Sequence, residues 1–111
     1  METHSFSKKK CVPCEGSVAA IAPKKAREFL KELPDWTLSS GRSITSEYLM
    51  KDFMSAIRFI DALARLAEKE GHHPDISIHD WNKVTLTLST HSIGGLSEND
   101  FILAAKIDKI I

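Results

Sequence analysis

DFMSAIRFIDALARLAEKEG, residues 52–71, is the stretch on which the fold turns. Asp52 is a good helix N-cap, because its short carboxylate can accept from backbone N–H groups that the first turn leaves unpaired. Phe53, Ile57, Ile60, Ala64 and Ala67 recur at helical spacing as one apolar stripe, flanked by Ala56, Leu63 and Leu66. Gly71 stands where a helix commonly stops in the left-handed conformation, and Pro74 forbids continuation. The spacing predicts a long amphipathic helix, with His72 and His73 emerging just past its C-terminus.

Working outward, the pattern changes period on both sides. Upstream, WTLSS (36–40) and SITSEYLM (43–50) alternate imperfectly around Gly41-Arg42 and read as a hairpin. Before it, Pro23 suits the first turn of a helix. Ala26, Phe29, Leu30 and Leu33 continue that helix over 23–33, until Pro34 ends it. Downstream, DISIH (75–79) and KVTLTLSTH (83–91) form a second hairpin around Asp80-Trp81-Asn82. Val84, Leu86 and Leu88 point to one face, and Thr85, Thr87, Ser89 and His91 to the other. After Gly94-Gly95, Ser97 and Asp100 fit a capping box that opens a helix running to the end. The expected fold class is α+β, in the order α-β-β-α-β-β-α. A four-stranded antiparallel sheet carries its helices packed on one face.

The composition narrows the function. One domain is expected from 111 residues, 42% of them hydrophobic. Fifteen basic residues balance fifteen acidic ones, so there is no electrostatic case for nucleic acid or an anionic membrane. No apolar run approaches the ~20 residues of a membrane span. METHSFSKKK lacks the apolar segment of a secretory signal, so a cytoplasmic location is expected. Residues 1–21 read as a flexible tail, and 22–111 as the folded domain. The tail carries Cys11 and Cys14 as CVPC. That motif could be idle, could be half of a metal site completed by another subunit, or could be redox-active. Deletion of 1–17 is expected to leave fold, assembly and activity largely intact.

Four of the five histidines fall within residues 72–91. A cation at His72 or His73 gains typically 0.3–1 kcal/mol from the helix C-terminus, which favours the acid form. Metal binding needs converging ligands. Adjacent histidines seldom bind one ion together, and no H-x-x-x-H or H-E-x-x-H spacing is present. Acid–base chemistry needs a cleft, which forms if the second hairpin folds back beside the helix terminus and brings His91 to the HH turn. There is no nucleophile elbow. His4 and His79 read as surface residues.

Glu68, His72-His73-Pro74, Trp81, His91 and Asp100, separated by three, six, nine and eight residues, closely resemble the motif of the pterin-4a-carbinolamine dehydratases. NKVTLTLSTH and GLSENDFILAAKI are similar to the rest of that family's C-terminal half, and the likeness covers roughly 34–111. The resemblance implies dehydration of a 4a-hydroxytetrahydropterin to the quinonoid dihydropterin, with no metal or organic cofactor. It implies a pterin as the small-molecule partner and assembly as a homodimer or homotetramer. It carries the catalytic roles onto His72, His73 and His91. Glu68, Pro74, Trp81, Thr90, Ser92 and Asp100 become candidate substrate-binding or supporting residues. Trp81 reads equally well as a hairpin core residue. Two other functions stand beside this one. One is a pterin-binding accessory protein of molybdopterin metabolism, and the other is a non-enzymatic dimerisation module.

Overall fold

The strict alternation along the second hairpin decides which side of the sheet is dry. In the computed structural model, described for residues 6–11 and 19–111, the strands are β1 (Thr37–Ser39), β2 (Ser43–Leu49), β3 (Asp75–His79) and β4 (Lys83–Leu88). They form one antiparallel sheet in the order β1-β2-β4-β3. The register sets Ile44 opposite Leu88, Ser46 opposite Leu86 and Tyr48 opposite Val84. All six are buried. Because side chains alternate faces, this pairing stacks one apolar set on a single side. It leaves Thr45, Glu47, Thr85 and Thr87 on the other.

Three helices complete the expected order: α1 (Pro23–Leu30), α2 (Phe53–Glu70) and α3 (Glu98–Asp108). Asp52 caps α2 by accepting from the Ser55 N–H at 2.7 Å. The capping box of α3 forms as its sequence predicts, with Ser97 N–H donating to Asp100 at 3.0 Å. Phe101, Ile102, Leu103, Ala104 and Ile107 of α3 are all buried, so this helix forms the centre of the core.

Three expectations need correction. The buried face of α2 is rotated from the predicted stripe, keeping Ala67 and part of Ile60 and centring on the flanking Leu63. Ala56, Phe59, Leu63 and Ala67 are buried, whereas Phe53 and Ile57 are 48% and 38% exposed. The helix carries apolar residues around more than half its circumference, so periodicity left two faces to choose from, and packing against α3 took the one centred on Leu63. Second, α1 stops at Leu30 and not at residue 33. Lys31, Glu32 and Leu33 tighten into i→i+3 hydrogen bonds of 3.2, 3.1 and 3.0 Å, and Leu33 stays buried at the end of that turn.

The third correction concerns the N-terminal segment, expected to hold little fixed structure. Phe6–Lys8 form a short 3₁₀ turn, and Phe6 is only 3% exposed. Its ring lies 5.2 Å from that of Phe29 and 5.8 Å from that of Phe101, completing a three-ring cluster. The polar composition of the segment concealed one anchoring side chain. Residues 1–5 and 12–18, including Cys14, lie outside the described residues.

Candidate active site

The end of α2 determines where the first two histidines go. Gly71 adopts the left-handed conformation, φ 68°, which an L side chain enters only with strain. The His72 N–H then reaches back to the Ala67 carbonyl at 3.2 Å, and the Gly71 N–H to Glu68 at 3.3 Å. The chain therefore leaves the helix in a fixed direction, and Pro74 leads directly into β3.

On the other side, β4 ends at Leu88, earlier than its sequence predicts. His91 is not a strand residue but opens a 3₁₀ turn, His91–Ile93. The Thr90 N–H donates to the Gly95 carbonyl at 2.7 Å, pinching this turn into a loop. Gly95 is required there by space, since a Cβ would come within 2.9 Å of the Ala20 methyl.

The two segments face one another across a cleft of about 430 Å³, whose lining includes His72, His73, Pro74, Thr90, His91 and Ser92. Folding thus brings together most of the residues singled out from the sequence. Asp100 lies behind them and not on the wall. It is fully buried, and Oδ1 stands 2.5 Å from His72 Nε2. Its Oδ2 accepts from the Thr90 hydroxyl at 2.9 Å as well as from the Ser97 N–H. One carboxylate therefore caps a helix, holds a cleft threonine and orients an imidazole.

His73 is more open. Its Nε2 lies 2.7 Å from Glu68 Oε1, and both side chains are mostly exposed. Glu68 thus touches a site histidine without lining the cleft. Trp81 is not brought to the cleft at all. It sits at the β3–β4 hairpin tip with φ 56° and is 61% exposed, outside both the lining of this cleft and the core. His79 lies 2.9 Å from the Thr85 hydroxyl and 3.4 Å from Glu47, among residues of the open face of the sheet.

The sequence reading passed over several residues here. Asp75, Ser89 and Asn99 line the cleft. Each adjoins a residue that was chosen, and adjacency to the motif was the available signal. No local pattern announced the Glu70–Lys106 pair at 2.8 Å, which joins the last turn of α2 to α3. Glu70 Oε1 also accepts from the Cys11 backbone N–H at 3.0 Å. Burial opposes the charge on Glu70, but Lys106 and the Cys11 N–H outweigh it and hold its carboxyl below the usual range. Burial, followed by the Glu70 charge, pushes the Cys11 thiol up to about 12. Among the described residues, no group of three His, Cys, Asp or Glu side chains is arranged to hold a metal ion. No helix among them is long and apolar enough to cross a membrane.

Comparison with known proteins places the whole chain in context. The family model described as pterin 4 alpha carbinolamine dehydratase matches residues 19–110. A protein of Azoarcus sp. (strain BH72), provisionally named a pterin-4-alpha-carbinolamine dehydratase, is 44% identical over 108 residues, covering 96% of this chain and 92% of its own. The crystal structure of a transcriptional coactivator/pterin dehydratase from Brucella melitensis superposes with a TM-score of 0.75 at 36% identity, covering 82% of this chain and 97% of that one. A pterin dehydratase-like protein identified as a RuBisCO assembly factor of the alpha-carboxysome is more distant. It has a TM-score of 0.58 and 26% identity, over 68% of this chain and 88% of that one.

Proposed function

We propose, from the premise that this chain belongs to the pterin 4 alpha carbinolamine dehydratase family, that it dehydrates a 4a-hydroxytetrahydropterin by histidine acid–base catalysis. The observation that carries this reading is the convergence of His72, His73 and His91 on one cleft. An acid delivers a proton to the 4a oxygen, the C4a–O bond breaks, and water leaves. A base removes a proton from the ring nitrogen, giving the quinonoid dihydropterin with atoms and charge balanced. Each such transfer is worth roughly 10²–10⁴-fold. His72, with Nε2 held by Asp100, is kept in one orientation. His73, paired with Glu68 at the open edge, exchanges protons with solvent. Thr90, Ser92 and Pro74 shape the wall that receives the pterin. The histidines, together with water, suffice for this proton inventory, so neither a metal nor an organic cofactor is invoked.

Assembly as a homodimer or homotetramer belongs to the same proposal. Leu49, Phe53, Met54, Ile57 and Ile110 are exposed, and apolar patches of this kind commonly mark interfaces. A cytoplasmic protein serving recycling of a tetrahydrobiopterin-type cofactor fits the same chemistry.

The deciding experiment is a stopped-flow measurement of carbinolamine decay. Acceleration that is proportional to protein concentration is expected. Pterin binding without acceleration overturns catalysis. It favours a binding or assembly role, the reading supported by the RuBisCO assembly factor that shares this fold.

A further inference from the structure

The cleft does not end at His91. A second lobe of about 300 Å³ continues past it, bounded in part by Arg42, Ser43, Thr87 and Gly94. It shares Asp75, Ser89, Thr90 and His91 with the first, so the two lobes adjoin along these residues. The sheet register explains the neighbourhood. Since Ile44 pairs with Leu88, the turn before β2 projects past the strand ends beside Ser89 and His91. That turn is firmly closed. Ser40 and Gly41 both have positive φ, and the Arg42 N–H donates to the Ser39 carbonyl at 3.2 Å.

Arg42 is the only lysine or arginine among the described residues lining either lobe. Among the described residues its guanidinium has no hydrogen-bond or ion-pair partner. It does not pair with Asp75, although both line the second lobe. A cation left unpaired on the wall of this lobe is available to a ligand.

We propose that the second lobe is a subsite for an anionic substituent of the substrate, a phosphate or a carboxylate, and that Arg42 selects for it. The inference rests on the pterin reading of the first lobe and adds the charge of the group that the ring carries. A guanidinium presents a planar fork of donors that matches two oxygens of either anion. A neutral hydroxyl can take only a single weaker bond. Asp75 stands at the junction of the lobes, where the N–H donors of a bound ring can meet it. Its charge repels an anion, so the substituent must lie on the Arg42 side.

The test uses three matched pterins bearing 6-hydroxymethyl, 6-phosphooxymethyl or 6-carboxyl groups, titrated by their own fluorescence. The full chain is compared with Arg42→Gln, and thermal melts verify that the exposed turn tolerates the change. The native chain is expected to bind at least one anionic pterin on the order of tenfold tighter than the neutral one. That preference should shrink with added salt and disappear in Arg42→Gln, while the neutral affinity stays within about twofold. Preference for only one anion identifies it as the phosphate or the carboxylate class. Equal binding of all three by the native chain, or a preference that survives Arg42→Gln, overturns the subsite and leaves the dehydratase reading standing. Failure of all three to bind removes the pterin reading and the subsite together.

Discussion

His72 Nε2 and Asp100 Oδ1 meet at 2.5 Å, and the other oxygen of that carboxylate is held by Thr90 and by the Ser97 N–H. The imidazole is thus tied to the first turn of α3 through a group with no solvent exposure. Asp100→Asn is expected to lower kcat on the order of 10²-fold, with a smaller effect on KM. It should also lower stability by roughly 1–3 kcal/mol, because it disturbs a buried, fully bonded acceptor. Kinetics across pH and a denaturant titration separate the two effects. A variant that melts early but turns over within twofold of the native rate would reduce Asp100 to a helix cap.

The histidines should respond unequally. His72→Ala, His73→Ala and His91→Ala are each expected to lose about 10²-fold or more in dehydration rate while remaining folded. His79→Ala should stay near the native rate, since His79 contacts Thr85 and Glu47 on the sheet surface, outside the cleft. Greatest damage in the His79 variant would move the site elsewhere.

Phe6 anchors the N-terminal segment. Phe6→Ala is expected to destabilise the fold by roughly 3 kcal/mol, the usual scale for removing a buried aromatic ring. Deleting 1–17 should lower the melting temperature as well, contrary to the expectation from composition. Calorimetry of both proteins checks this, and unchanged melting would mean that the ring cluster of Phe6, Phe29 and Phe101 contributes little.

The Glu70–Lys106 pair gives a pH dependence of known sign. The Glu70 carboxyl is held below its ordinary value of 4.5 in the folded chain. Its stabilising contribution is therefore fully present above that value, and is lost as pH falls through the lower folded value. The stability gap between the native chain and Glu70→Gln should be full at neutral pH and close progressively below 4.5. Thermal melts of both proteins from pH 7 to pH 3 measure it. A gap that widens on acidification contradicts the assignment.

Cys11 should be chemically quiet. With its thiol pushed up to about 12 by burial and by the Glu70 charge, roughly one molecule in ten thousand carries the reactive thiolate at pH 8. In a Cys14→Ser background, where Cys11 is the sole thiol, disulfide-exchange labelling should be slow in the folded chain and fast in urea. Rapid labelling of the folded protein would restore the redox reading of CVPC.

The capping box and the two hairpins were legible in the sequence because each depends on neighbouring residues, and the histidine motif was legible through its resemblance to a family pattern. Gly71 and Pro74 stop a helix by their own backbone chemistry, and Val84, Leu86 and Leu88 share a face through the pleat of one strand. Ser97 and Asp100 are three residues apart, and the hydrogen bonds between them need nothing else. Tertiary structure decided what depends on distant partners. It turned the Leu63 side of α2 inward and left Phe53 and Ile57 exposed. It drew Phe6 into a cluster with Phe29 and Phe101, and set Trp81 on an exposed tip and not in the cleft. It also passed the Asp100 carboxylate from its own helix cap to His72, 28 positions away. Local periodicity specifies which surfaces are apolar, but the burial free energy that selects among them exists only once the chain has closed on itself.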